Sequence, residues 1–128
     1  MLKKTIKYVD YNGVERCEDF YFNLSKAEVT EMQVSEEGGY DQMLQRIVDA
    51  QDNKEIFKHF KAIILKAYGV KSQDGKRFIK SEELSEEFSQ TEAFVELIME
   101  LASSETAAAE FVNGIIPKPT QQVTPLNK

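Results

Sequence analysis

The fold is decided by the stretch Phe20-Tyr21-Phe22-Asn23-Leu24-Ser25-Lys26-Ala27-Glu28-Val29-Thr30-Glu31-Met32, in which the hydrophobic period changes from that of a strand to that of a helix. Phe20 and Phe22 lie two residues apart, on one face of an extended chain. Ser25 and Glu28 have the spacing of a capping box, in which each side chain bonds the backbone N–H of the other residue. A strand is therefore predicted to end, and a helix to begin, near Asn23-Leu24.

Upstream of this stretch the sequence predicts a β-hairpin. Residues 3–11 alternate loosely and are rich in Thr, Ile, Tyr and Val, and residues 14–22 supply the return strand. Asn12-Gly13 between them is a strong turn signal, because both residue types tolerate positive φ. A two-residue loop would pair Lys7 with Glu18, whereas a three-residue loop would shift this register by one, and the pattern leaves both open.

Downstream of it the sequence predicts helices. The clearest is Asn53–Tyr68, whose apolar residues recur on one side and whose lysines lie largely on the other, with Gly69 as a C-terminal stop. We expect it to be the central core helix, with Phe57 and Phe60 among its buried residues. Other helices are predicted over about Lys26–Gln33, Tyr40–Ala50, Ser81–Phe88, Thr91–Ala102 (with Phe94, Val95, Ile98, Leu101 and Ala102 on one face) and Ser104–Val112.

Local signals place the breaks between these helices. Val70–Lys80 contains the turn signal Asp74-Gly75 and is either a miniature hairpin or an ordered loop. The remaining signals are the helix break Gly38-Gly39, the capping-box spacings Asp52/Glu55 and Ser89/Glu92, and the helix end Asn113-Gly114.

The predicted fold class is α+β and predominantly α, with the N-terminal β-hairpin packed on a bundle of about five or six short helices. A chain of 128 residues and 14.7 kDa can bury one modest core. We assign residues 1–117 to this single domain. Lys118–Lys128 is proline-rich and polar, and we expect it to be a flexible C-terminal tail.

Charge and composition exclude several classes of partner. The net charge is −6 and the pI is about 4.9, so there is no electrostatic reason to bind nucleic acid or an anionic membrane surface. Cys17 is the only cysteine, which precludes an internal disulfide and favours a reducing cytoplasm. The first residues lack the apolar segment of a signal peptide, and no apolar run is long enough to span a membrane.

The sequence carries no recognisable catalytic, metal-binding or cofactor-binding motif. His59 is the only histidine, and its cationic neighbours Lys58 and Lys61 do not suit a metal site. Cys17 lies in a strand without a helix N-terminus or histidine to activate it. Gly38-Gly39 is not part of a phosphate-binding loop. We therefore predict a non-enzymatic protein without a metal or cofactor.

Two groups of apolar residues are candidate protein-binding surfaces. The first is the aromatic hairpin, with Tyr8, Tyr11, Phe20 and Phe22. The second comprises Phe111, Val112, Ile115 and Ile116, just before the proline-rich tail. We prefer the second, because we expect a segment beside a flexible tail to pack incompletely. The alternative for both is packing on the domain's own core.

The order of these features resembles the tail assembly chaperones of long-tailed phages (siphoviruses) and prophages of Gram-positive hosts. The blocks that carry the resemblance are structural, and together they span most of the chain to Pro117. They are Tyr8–Gly13, Phe20–Glu28, Gly38-Gly39, Phe60–Gly69, Asp74–Ser81 and Phe88–Phe94.

The resemblance implies a non-enzymatic chaperone that binds the tape measure protein and keeps it soluble in the cytoplasm of the bacterial host. Such proteins are absent from the mature virion. In many such phages a frameshifted longer form also recruits the tail tube protein, and this chain would be the short form. Self-association into a homo-oligomer is left open. The alternative is a small adaptor or regulator of a mobile element that acts by binding another protein.

Overall fold

The N-terminal hairpin pairs in the three-residue-loop register. A computed structural model describes residues 1–35, 49 and 53–117 of the chain. In it, strand β1 (Leu2–Val9) runs antiparallel to strand β2 (Glu15–Phe22), with Lys7 opposite Cys17. The pairing expected for a two-residue loop, Lys7 with Glu18, is therefore wrong.

The side chain of Asp10 selects this register. Its carboxylate accepts the backbone N–H groups of Asn12 and Val14, each at 2.9 Å. The backbone N–H of Gly13 donates to the Asp10 carbonyl at 2.9 Å, and Gly13 takes a φ of +80°. An aspartate that bonds the backbone ahead of it initiates a turn of this kind, with glycine at the left-handed position.

A second, shorter hairpin extends the sheet. Strands β3 (Tyr68–Lys71) and β4 (Phe78–Ile79) pair antiparallel around Gly75, which has a φ of +76°. Of the two alternatives for Val70–Lys80, the structure has the miniature hairpin and not the ordered loop, and the hairpin begins before that range. Because β3 also pairs with β2, the strand order in the four-stranded sheet is β1-β2-β3-β4.

Gly69 belongs to this sheet and is not a helix stop. Helix α2 (Asn53–Ala67) ends one residue earlier than expected, and Gly69 pairs with Tyr21 in the adjacent strand. A Cβ built on Gly69 would lie 2.7 Å from Phe78 Cε2 and 2.8 Å from the carbonyl oxygen of Ile79. The absence of a side chain, and not a positive φ, is therefore what this position requires.

Gly69→Ala should lower the free energy of unfolding by about 1–3 kcal/mol, since the neighbouring β4 backbone must move to admit the methyl group. Gly75→Asn is the matched control, because its surroundings are open and asparagine tolerates positive φ. Urea denaturation measures both variants. Equal midpoints for Gly69→Ala and the wild type would show that β4 is free to shift.

Most helix starts follow local signals. Helix α1 (Lys26–Ser35) opens on the predicted capping box: the Ser25 N–H donates to Glu28 Oε1 at 2.8 Å, and the Glu28 N–H donates to Ser25 Oγ at 3.1 Å. Helix α3 (Glu82–Ser89) is capped by Ser81, which accepts the N–H of Leu84.

One predicted cap and one predicted helix end are wrong. Helix α4 (Glu92–Ser103) is capped by Thr91, while the Ser89 hydroxyl donates instead to the Glu86 carbonyl. Helix α5 (Glu105–Ile115) passes through the predicted end at Asn113-Gly114, because Gly114 gives room to Leu2, whose Cδ1 would be 2.9 Å from an added Cβ. The predicted helix Tyr40–Ala50, the Gly38-Gly39 break, the Asp52 cap and the tail Lys118–Lys128 lie outside the described residues.

The helices cover one face of the sheet and enclose the core with it. α4 and α5 pack on β1, and α2 packs on α4. α2 is a core helix, as predicted, although Phe57 is exposed. The buried apolar residues are Ile6, Phe22, Leu24, Phe60, Ile63, Ile64, Ala67, Phe88, Ala93, Phe94, Leu97, Ile98, Leu101, Ala108, Phe111 and Ile115. The predicted α+β, predominantly α fold class is confirmed.

Candidate protein-binding site

The four aromatic residues predicted on the hairpin do not share one surface. Phe22 is fully buried, with its ring edge-on to those of Phe88 and Phe111 at centroid distances of 5.8 and 5.3 Å. Tyr8 and Phe20 are half-buried and pack against the core. Only Tyr11, at the end of the hairpin, is open to solvent, with 75% of its surface exposed.

The second predicted surface lies mostly in the core. Phe111 and Ile115 are 2% and 0% exposed, and Val112 and Ile116 are half-buried against the same core. The expectation that this segment packs incompletely is wrong. The physical reason is that α5 continues to Ile115, which places Phe111 and Ile115 one turn apart on its buried side.

No catalytic or metal-binding arrangement appears among the residues that the structure describes. His59 Nε2 lies 3.4 Å from Glu55 Oε1, one turn away on α2. Cys17 is exposed on the strand pair opposite Lys7. Within the described ranges no three His, Cys, Asp or Glu side chains are grouped as metal ligands, and no helix is long and apolar enough to cross a membrane.

Among the residues that the structure describes, five exposed large apolar residues lie at the end of the hairpin and on the outward side of α4, and we call them together the hairpin–α4 surface. Val9, Tyr11 and Val14 supply its hairpin part, and Val95 and Met99 supply its helical part. Each of the five side chains is between 40% and 75% exposed. The hairpin part and the helical part meet where Tyr11 bonds Glu92, and exposed apolar side chains grouped in this way are a feature of protein-interaction sites.

Polar contacts hold the hairpin along α4. The Tyr11 hydroxyl donates to Glu92 Oε2 at 3.0 Å near the start of the helix, and this bond to a carboxylate raises the pKa of Tyr11. At the other end Lys4 Nζ lies 3.3 Å from Glu100 Oε1. Between them Glu96 lines a cleft of about 480 Å³ together with the β1 and β2 residues Lys7, Tyr8, Val9, Glu15, Arg16 and Cys17.

The hairpin end itself is braced by charged and polar pairs. Arg16 Nε donates to Asp10 Oδ2 at 2.7 Å, and this bond lowers the pKa of the Asp10 carboxyl. The Tyr8 hydroxyl donates to Glu18 Oε1 at 2.6 Å, which raises the pKa of Tyr8. The first bond ties the turn to β2 and the second joins β1 to β2, so polar contacts hold the loop that bears Tyr11 and Val14.

The outward side of α4 carries two rows of side chains. Val95 and Met99, four residues apart, form an apolar row, and Glu92, Glu96 and Glu100 form a carboxylate row on the side of β1. The sequence pattern misplaced Val95, because the buried stripe is in fact Ala93, Phe94, Leu97, Ile98 and Leu101. Met99, an apolar residue outside the predicted apolar face, was the signal that could have found this row.

The helices around this surface are uniformly acidic. Residues 81–117, which contain α3, α4 and α5, have no lysine, arginine or histidine. They carry nine glutamates, namely Glu82, Glu83, Glu86, Glu87, Glu92, Glu96, Glu100, Glu105 and Glu110. Nine carboxylates without a basic residue give this segment a formal charge of −9, which is more negative than the −6 of the whole chain.

The comparisons with known proteins identify a family. A family model described as "Phage tail assembly chaperone" matches residues 1–125, nearly the whole chain. The chain matches none of the curated proteins and none of the solved structures with which it was compared.

Proposed function

Because the chain belongs to the phage tail assembly chaperone family, we propose that it binds the tape measure protein and keeps it soluble during tail morphogenesis. The family implies a non-enzymatic role in tail assembly, exerted through contacts with tail proteins. The family match across residues 1–125 is the observation that carries this proposal. We place the protein's action in the cytoplasm of the bacterial host, and we expect it to be absent from the mature virion.

The hairpin–α4 surface is the proposed contact site. A long helical protein with exposed apolar stripes aggregates unless another surface covers them, and a helix laid on an apolar face is a common mode of peptide recognition. Of the residues predicted from the sequence, Tyr11 remains in this surface and Tyr8 lines the cleft beside Glu96, whereas Phe20 is half-buried against the core. Phe22, Phe111 and Ile115 would have to leave the core to contact a partner.

Many weak contacts suit this task. One domain of this size covers only a short stretch of a long helix, so a coat requires many copies, and self-association among them would add avidity. Each contact stays weak enough to be released when tail tube subunits polymerise. We further propose that a frameshifted longer form, where it is made, recruits the tail tube protein.

Co-expression with the tape measure protein tests the proposal. We expect the tape measure protein to be insoluble alone and soluble when this chain and its longer form are present. The variant Val95→Ser/Met99→Ser should reduce the soluble fraction without unfolding the domain, because both side chains are exposed. A matched control is Phe57→Ser/Val70→Ser, which alters two exposed apolar side chains outside the hairpin–α4 surface.

Two results would overturn the chaperone proposal. One is a tape measure protein that is equally soluble alone. The other is a tape measure protein that stays insoluble when both forms of the chain are present.

A further inference from the structure

We infer that the hairpin–α4 surface selects an amphipathic helix whose apolar stripe is flanked by lysine or arginine. This inference rests on the proposed function and names the chemistry of the segment that is bound. It follows from two observations that lie side by side on α4: the apolar row of Val95 and Met99, and the carboxylate row of Glu92, Glu96 and Glu100.

The apolar row sets the shape of the occupant. Val95 and Met99 project from successive turns, and Tyr11 lies beside Glu92 at the start of the same helix. Val95 and Met99 thus form a short ridge along α4, and the carboxylate row lies between this ridge and Tyr11. A second helix packed along this ridge would match it with apolar residues three or four positions apart.

The carboxylate row sets the charge of the occupant. Glu92 and Glu100 are held in place by Tyr11 and Lys4, while Glu96 has no ion-pair partner among the residues that the structure describes. A helix on the apolar row would bring its flanking side chains next to these carboxylates. Lysine or arginine there forms opposite-charge pairs, whereas glutamate or aspartate meets the like charge of Glu96 and its two neighbours on a helix that itself has no basic residue.

A second copy of this chain fits the surface less well. Helix α2 carries exposed lysines (Lys54, Lys58, Lys61 and Lys66), which would suit the carboxylate row. Its apolar side is already committed to the core through Phe60, Ile63, Ile64 and Ala67, and Phe57 is its one exposed large apolar residue. One aromatic ring cannot cover a row that extends over two turns, so we commit to a partner helix of another protein.

Two synthetic peptides test the charge selection on the full chain. Both are amphipathic helices of about 18 residues with the same leucine stripe, one flanked by lysines and the other by glutamates. Fluorescence anisotropy should show that the lysine-flanked peptide binds about tenfold more tightly at low salt. This preference should shrink between about 0.05 M and about 0.5 M NaCl, because the charged side chains are exposed and screened.

Three variants assign the preference to this surface. Glu96→Lys should reduce the preference for the lysine-flanked peptide several-fold. Val95→Ser/Met99→Ser should lower the affinity for both peptides by the same factor. Glu83→Lys makes the same charge change on α3 and is the matched control, which should retain most of the preference. Equal binding of the two peptides, binding of neither, or an equal effect of Glu83→Lys and Glu96→Lys would overturn the inference.

Failure of this inference and failure of the proposed function give different results. A chain that rescues the tape measure protein but binds both peptides equally remains a chaperone without charge selection. A chain that selects the lysine-flanked peptide but fails to rescue the tape measure protein retains the binding surface and loses the proposed partner. Sedimentation of the chain alone tests whether a second copy occupies the surface. If the wild type forms dimers and Glu96→Lys is monomeric, the surface is a dimer interface, and the inference is overturned.

Discussion

Phe22→Ala should lower the free energy of unfolding by about 3–5 kcal/mol, the range for loss of a buried aromatic side chain. Phe22 has no exposed surface, and its ring meets those of Tyr68, Phe88 and Phe111 at centroid distances between 5.3 and 5.8 Å. Truncation therefore leaves a cavity where β2, β3, α3 and α5 converge. Urea denaturation followed by circular dichroism measures the effect.

Tyr11→Ala is the matched control for Phe22→Ala. It also removes an aromatic ring from the hairpin, but from an exposed position whose hydrogen bond to Glu92 faces solvent. Its effect on the free energy of unfolding should stay within about 1 kcal/mol. If Phe22→Ala unfolds at the wild-type denaturant concentration, the ring is not in the core, and the aromatic hairpin regains its role as a candidate surface.

The sequence predicted those features that depend on neighbours in the chain. The capping box of Ser25 and Glu28 and the cap at Ser81 form within a single turn, so their spacing is sufficient to place the start of a helix. The register of the hairpin was left open for a related reason. Asn12-Gly13 fits either loop length. The side chain of Asp10 makes the choice through its bonds to Asn12 and Val14, and the Asn-Gly signal by itself gives no information about those bonds.

Features that depend on distant parts of the chain could not be predicted. Gly69 and Gly114 each follow a helical pattern and were interpreted as helix ends. Each is in fact a glycine because another element passes close by: β4 at Gly69 and Leu2 at Gly114. The pairing of β3 with β2 is of the same kind, since it joins residues nearly fifty positions apart through the bonds of Tyr21 and Phe22.

The candidate site was predicted only in part. Tyr11 was identified only as one of four aromatic residues of the hairpin, and the other three proved to be buried or half-buried. Val95 and Met99 were missed, because α4 is apolar around most of its circumference. Periodicity alone then cannot decide which of its apolar stripes is buried. Their exposure is decided by β1, α2 and α5, which pack on α4 and bury the stripe of Ala93, Phe94, Leu97, Ile98 and Leu101, leaving Val95 and Met99 open to solvent. Once that is known, Met99 on an otherwise acidic surface is the informative residue.

Ile115→Ser should lower the free energy of unfolding by about 3–5 kcal/mol. Ile115 has no exposed surface, so serine would leave a cavity and bury a hydroxyl group among apolar side chains. The Ile115 carbonyl also accepts the N–H of Leu24 at 2.8 Å, which ties the end of α5 to the junction between β2 and α1. Thermal and urea denaturation both report the loss. The adjacent, half-buried Ile116 provides the control, and Ile116→Ser should cost about 1 kcal/mol.

The effect of Ile115→Ser on the tape measure protein separates a core role from a binding role. If Ile115 belongs to the core, the variant loses stability and chaperone activity together, and lowering the temperature, which restores folding, should restore rescue. Val95→Ser/Met99→Ser should instead lose rescue at every temperature at which the domain is folded, because its defect lies in the contact surface. An Ile115→Ser variant with wild-type stability and no rescue would reverse this assignment and identify Phe111–Ile116 as the surface that meets the partner.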